Sequence, residues 1–149
     1  MSVPSWKRSV SKTEFLYLLY KLNIRMAEIC MNKPKKYRNN YSDTLIKECL
    51  EALKYAQMGN SIFMQSKTSE SDYLLRRKYF LTAKGLIENI STVSFIYLEF
   101  VRKTDSESNE KINSQESYIG STCVDIHNKI CGVIKSDTEI YKKYIKRKL

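Results

Sequence analysis

The chain is almost free of residues that interrupt helices: its 149 residues include four glycines and two prolines. Sheet-rich folds turn often, and their tight turns draw on Gly, Pro and Asn-Gly pairs. A chain this poor in them is restricted to a few long elements, and the spacing of its apolar residues says which kind. From Tyr79, apolar residues recur at Ala83, Leu86, Ile90, Val93, Tyr97 and Phe100. That is a seven-residue repeat, the pattern of a helix with one face against a partner. The spacing predicts a helix from Asp72 to about Lys103, roughly 45 Å long at 1.5 Å per residue.

Three more segments carry the same spacing. Phe15, Leu19, Leu22, Met26 and Ile29 form a seam, and Leu16, Tyr20, Ile24 and Ala27 add a second row. This first helix is therefore expected to be buried on more than one side. Ser11-Lys12-Thr13-Glu14 fits a capping box at its start, and Asn32-Lys33-Pro34 ends it, because proline disfavours helical geometry in the residue before it. A second helix starts between Lys36 and Ser42 and places Ile46, Cys49, Leu53, Ala56, Asn60 and Phe63 on its seam. Gly59 inside it is expected to cost about 1 kcal/mol against alanine. The helix is read through it, since a stop at Met58 would strand Ile62 and Phe63 in a loop, and Gln65 to Ser71 forms the next turn. A fourth helix carries Ile119, Cys123, Ile126, Ile130, Val133, Ile140 and Tyr144. Between the third and fourth, Thr104 to Glu116 is polar, with Asp105, Glu107, Glu110 and Glu116 against Lys111. It reads as a mobile acidic loop.

Four amphipathic helices with connections of about 5 to 13 residues have one economical arrangement, an all-α, antiparallel up-down-up-down four-helix bundle. The expected organisation is a single domain over 1–149, with a short basic lead-in at 1–11 and the acidic loop at 104–116. Apolar residues at 42% and charged residues at 28% fit a globular chain. One of this length buries a core without needing disulfides or a metal. The four cysteines (Cys30, Cys49, Cys123 and Cys131) lie among aliphatics at helical spacing, where a free thiol behaves as a small hydrophobe. Met1 to Trp6 lacks the apolar segment of a signal peptide, and no stretch has the length of a membrane-spanning helix. Reduced cysteines in a cytoplasmic protein are the expectation.

The inventory for catalysis is thin. His127 is the single histidine, and there is no Gly-rich phosphate loop and no Glu-x-x-His pair of the kind that bundles use for di-iron sites. Cys123, His127 and Cys131 are four residues apart and share a helix stripe. Structural zinc sites draw on tighter loop spacings and a fourth ligand, so the three read as core cysteines with a histidine at the core's edge. No catalytic site, cofactor or metal is expected.

Charge is the informative property. Lys and Arg number 26 against 16 Asp and Glu, a formal net charge of +10, which attracts polyanions. The cations cluster as Lys33, Lys35, Lys36 and Arg38, as Arg76, Arg77 and Lys78, and as Lys142, Lys143, Lys146, Arg147 and Lys148. These clusters, Lys148 apart, are the candidate nucleic-acid-binding residues. Arg76 and Arg77 stand near a helix N-terminus, where the dipole disfavours cations, and their guanidinium groups suit bidentate contact with phosphate. In an antiparallel bundle Lys7, Arg8 and Lys12, the Arg76 cluster and the C-terminal cluster share one end, and the Lys33 run lies at the other. Of the eleven tyrosines, Tyr79 and Tyr97 fall on the seam and Tyr17, Tyr20 and Tyr73 on helical faces. Tyr37, Tyr41 and Trp6 are the better candidates for stacking on bases. The alternative use of the same patches is a non-catalytic scaffold or oligomeric adaptor that binds an acidic protein.

The layout over residues 13–145 also resembles a known four-helix-bundle family. The resemblance is carried by the opening helix Glu14 to Met31 and by the turn Asn32-Lys33-Pro34-Lys35-Lys36-Tyr37-Arg38. The helix Leu45 to Phe63 with its Gly59-Asn60, and the stretch Tyr73-Leu74-Leu75-Arg76-Arg77-Lys78-Tyr79-Phe80, carry the rest. The family includes the ribosomal-RNA intervening-sequence proteins and the accessory variability determinant of diversity-generating retroelements. The resemblance implies a homo-oligomeric ring, commonly a pentamer, with a basic surface and no catalytic residues. It also implies binding to a reverse transcriptase and to RNA or DNA, in support of retroelement cDNA synthesis or mutagenic retrohoming.

Overall fold

In a computed structural model, which describes residues 14–105 and 107–146, the chain runs through four helices: α1 Glu14–Met31, α2 Asp43–Ser61, α3 Glu70–Thr104 and α4 Asn109–Ile140. No strand occurs among the described residues. Each helix packs against its neighbours in the chain, and α1 closes the square against α4. This is the all-α bundle that the seams predict. No helix among the described residues is long and apolar enough to cross a membrane.

α1 ends at Met31, ahead of Pro34 as expected. The chain then keeps a helical path through a 3-10 turn, Lys35–Tyr37, and a π turn, Arg38–Ser42, directly into α2. Asn23 ties α1 to α2: its Nδ2 donates to the carbonyls of Leu19 and Cys49 at 2.8 and 2.9 Å. α3 is capped by Ser69, whose hydroxyl accepts from the Asp72 N–H at 3.2 Å. Ser108 caps α4 in the same way through the Lys111 N–H at 3.1 Å. Each cap satisfies one of the orphan donors of a helix start. At 35 residues α3 is about 52 Å long.

The reading of 104–116 as an acidic loop is corrected. Thr104 belongs to α3, and α4 is already helical at Asn109. Ile112 and Gln115 are buried on the bundle side of α4, and Glu110 sits in the first turn, where the helix dipole favours acids. The segment is polar because most of it faces water, not because it lacks structure. Ser11 of the proposed capping box lies outside the described residues.

The core seams run one position off the predicted ones in two helices. α3 buries Phe80, Ala83, Ile87, Ile90, Ser94, Tyr97 and Val101, and α2 buries Leu45, Cys49, Ala52, Ala56 and Gly59. One row of each was predicted (Ala83, Ile90 and Tyr97; Cys49 and Ala56). The other row holds Leu45, Ala52 and Gly59 in place of Ile46, Leu53 and Asn60, and Phe80, Ile87, Ser94 and Val101 in place of Tyr79, Leu86, Val93 and Phe100. α2 and α3 make the most extensive contact in the bundle. Where backbones approach that closely a large side chain needs a small residue opposite it, and Leu53, Leu86 and Val93 are half-buried against the same core.

Gly59 shows this directly. A Cβ built there would lie 2.9 Å from the Phe80 ring, which is itself fully buried and meets Phe15 edge-on at 5.8 Å. Glycine at this position permits the helix contact and is no mere cost. α2 continues through Gly59 but stops at Ser61; Ile62 is extended and Phe63 is exposed. The double-sided burial expected of α1 is also corrected. Leu16 is buried, but Tyr20 and Ile24 face outward, in line with Met31.

Candidate nucleic-acid interface

The three predicted basic clusters have different fates. In the first turn, the Lys33 side chain is fully buried. Its Nζ donates to Glu107 at 2.7 Å and to Gln115 Oε1 at 2.8 Å. Burial raises the Glu107 pKa, but hydrogen bonds from Lys33 and Lys111, with their charges, outweigh it and hold the carboxyl below its ordinary value. Lys36 lies 3.5 Å from Asp105. The Tyr37 hydroxyl donates to Asp105 at 2.7 Å and is the main cause of that carboxyl's lowered pKa. Lys33 and Lys36, two of the four cations of the first basic run, are thus met by acids of the α3–α4 turn, Glu107 and Asp105, far on in the sequence. Lys35 and Arg38 of this run are exposed.

Tyr37 and Tyr41, proposed for base stacking, belong to the packing. Tyr37 is buried and meets Tyr97 and Phe100 edge-on at 5.9 and 5.4 Å. Tyr41 stacks on Tyr97 at 4.8 Å, and the Tyr97 hydroxyl lies 3.0 Å from Ser42 Oγ. Burial pushes Tyr97 up to about 12, although its bond to Ser42 lowers it. Trp6 lies outside the described residues.

At the opposite end, α3 begins beside the end of α4, as the antiparallel reading requires. Tyr73 stacks on Tyr141 at 4.3 Å, and the Tyr141 hydroxyl donates to Glu70 at 2.7 Å. Arg76 points inward. Its Nε and Nη2 donate to the two oxygens of Asp137 at 2.6 and 3.3 Å. Its Nη1 donates to the carbonyls of Ile62 and Gly59 at 2.6 and 3.3 Å, and the guanidinium lies over the Phe80 ring at 4.9 Å. Four of the five N–H donors of a guanidinium are engaged in this way. Arg76 explains its own place at a helix start: its charge is met by a buried carboxylate and two carbonyls, not by the helix dipole. It is not free to take phosphate.

Arg77, one position on, faces out. Its Nη1 donates to Thr138 at 3.2 Å, and it lines an open groove of about 440 Å³ between α3 and α4. Lys84, Lys135 and Lys142 line the same groove, with Glu139 as its one carboxylate. None of these four cations forms an ion pair among the described residues. Arg77 and Lys84 are seven residues apart on α3, and Lys135 on α4 and Lys142 on the π turn Tyr141–Ile145 that continues it are seven apart across from them. Two turns of helix separate the members of each pair by about 10.5 Å, roughly three nucleotides' rise along a strand of B-form DNA. Lys78, Lys143 and Lys146 are exposed at the same end, and Arg147 lies outside the described residues. Lys84 and Lys135 escape a search for runs because each is isolated in sequence. The heptad step from Arg77 and from Lys142 is the signal that finds them.

All four cysteines are free. Cys30, Cys49 and Cys123 are buried, whereas Cys131 is half-buried and lines the basic groove. Cys123 faces the core, while His127 meets Cys131 Sγ at 3.8 Å through Nδ1 and Glu88 at 2.9 Å through Nε2, so Cys123 does not join the other two. Among the described residues no group of three or more His, Cys, Asp or Glu side chains is placed to hold a metal. Compared with family models, curated proteins and solved structures, the chain finds no significant match.

Proposed function

We propose that this protein binds RNA or DNA through phosphate contacts in the α3–α4 groove and acts as a non-catalytic accessory protein of a reverse transcriptase. The observation that supports the binding is the groove itself, where Arg77, Lys84, Lys135 and Lys142 face one carboxylate, Glu139. Clustered Lys and Arg without base-reading side chains give affinity but not sequence preference. The reverse transcriptase, and a role in cDNA synthesis or mutagenic retrohoming in the cytoplasm, rest on the resemblance over residues 13–145. A homo-oligomer rests on the same resemblance, supported by Tyr20, Ile24 and Met31, which leave one side of α1 apolar and exposed.

The test mixes the purified protein with RNA, DNA and an unrelated acidic protein at about 50 mM salt, where phosphate attraction is little screened. Binding to both nucleic acids, with little dependence on sequence, is expected. Failure to bind either, with capture of the acidic protein, would replace this reading with that of a protein scaffold. Co-purification with a reverse transcriptase encoded beside this gene tests the partner separately.

A further inference from the structure

We propose that Cys131 is a thiol–disulfide exchange site for small anionic disulfides, with His127 as its base. The site stands on its own geometry and does not depend on the groove binding nucleic acid. Cys131 and His127 are four residues apart on α4, and Sγ lies 3.8 Å from His127 Nδ1. His127 Nε2 is 2.9 Å from Glu88 Oε1. A carboxylate oxygen only accepts, so the proton of the neutral imidazole sits on Nε2 and the Nδ1 lone pair is left for the thiol. Glu88, His127 and Cys131 thus form the sequence of orienter, base and nucleophile used to activate thiols.

The surroundings select the partner. Cys131 lines the groove that also holds Arg77, Lys84, Lys135 and Lys142, so a disulfide bearing carboxylates is drawn to it and a cationic one is repelled. Selectivity over the other thiols follows from burial. Cys30, Cys49 and Cys123 are enclosed in the core; burial pushes all three thiols up, Cys123 to about 12.

The exchange balances without a further oxidant. The Cys131 S–H proton passes to His127 Nδ1, and the thiolate attacks one sulfur of the incoming disulfide. A bond forms between Cys131 Sγ and that sulfur while the original S–S bond breaks. The departing half leaves with the electron pair and takes the proton from His127. Cys131 is oxidised to a mixed disulfide, and the departing half is reduced to a thiol. The product places an anionic group among the four cations.

The experiment treats the full chain with glutathione disulfide, a dianion at neutral pH, or with cystamine, a dication. Adducts are followed by mass spectrometry, and each rate is divided by that reagent's rate with 2-mercaptoethanol. One adduct per chain is expected, at Cys131. Glutathione disulfide should react roughly 10-fold faster than cystamine at low salt, with the gap closing as salt rises. His127→Gln should slow the glutathione adduct by about 10-fold or more and change the pH profile of its rate. Lys84→Gln with Lys135→Gln should narrow the preference between the reagents from both sides, slowing glutathione disulfide and speeding cystamine. Circular dichroism checks that each variant keeps its helicity. An adduct of comparable rate on another cysteine, equal rates for the two reagents, or an unchanged rate in folded His127→Gln would overturn the assignment.

Discussion

Arg76 and Arg77 are adjacent in sequence and opposite in role, and a charge count treats them alike. Arg76 is inserted between α2, α3 and α4, where it meets Asp137 and two carbonyls; the two ionic side chains are 12% and 7% exposed. Removing one partner of so enclosed a pair leaves a buried charge alone, at a cost of about 3–5 kcal/mol. Arg76→Ala should therefore lower the stability measured by urea unfolding by that order, while Lys78→Ala on the exposed side stays within about 0.5 kcal/mol of the parent. An Arg76 variant as stable as the parent would show that the Arg76–Asp137 pair adds nothing to stability. Lys33 and Glu107 form the counterpart at the other end. The Glu107 pKa is lowered in the folded state, so its contribution is present above the ordinary glutamate range, about pH 4.3, and is lost as pH falls through the lowered value. Glu107→Gln should flatten the acid side of the stability–pH curve; an acid limb as steep as the parent's would show that the carboxylate contributes nothing.

Among the elements, the contact between α2 and α3 decides the packing, and two glycines test it. Gly59 faces the Phe80 ring, whereas a Cβ at Gly85 meets nothing within 4 Å. Helix propensity alone favours alanine at both by about 1 kcal/mol. Gly85→Ala should gain up to that amount in thermal or urea unfolding. Gly59→Ala should instead lose stability, because overpacking against a fixed ring costs about 1–3 kcal/mol. Equal gains at both positions would mean that Phe80 is free to move. The same contact shows how far the helices could be read from sequence. Seven-residue spacing reveals that helices exist and locates one row of each seam. It misplaces the other row because two adjacent rows are apolar, as at Leu45 and Ile46, Tyr79 and Phe80, Leu86 and Ile87, and Phe100 and Val101, and spacing alone does not choose the inner one. The start of α4 was hidden likewise: Ile112, seven residues before Ile119, is the only strongly apolar residue in a segment dominated by charge.

At the scale of the whole molecule, the fold decides which charges remain free. The acidic turn between α3 and α4 is folded onto Lys33 and Lys36, so two unusual features of the sequence largely cancel. The meeting of Arg77 with Lys142 at the other end was legible, because an antiparallel bundle returns the C-terminus to the start of α3; Lys7, Arg8 and Lys12 lie outside the described residues. The groove was not legible, since it pairs Arg77 and Lys84 with Lys135 and Lys142 across a helix interface. The exposed apolar row Tyr20, Ile24 and Met31 belongs to the same scale. Light scattering should give a mass above the 17.5 kDa of one chain, and a monomer at every concentration would leave that row without a partner copy.

The claim that phosphates bind in the α3–α4 groove is tested most directly by the salt dependence of duplex binding. Engagement of about 5 phosphates gives a slope of log affinity against log salt near −4.5, about 0.9 per phosphate neutralised. Lys84→Gln combined with Lys135→Gln should make the slope shallower by about 1.8 while helicity is unchanged. Lys35→Gln combined with Arg38→Gln, at the other end of the bundle, should leave the slope close to the parent's. A groove variant with the parent's slope, or the loss appearing in the Lys35 and Arg38 variant instead, would contradict the assignment.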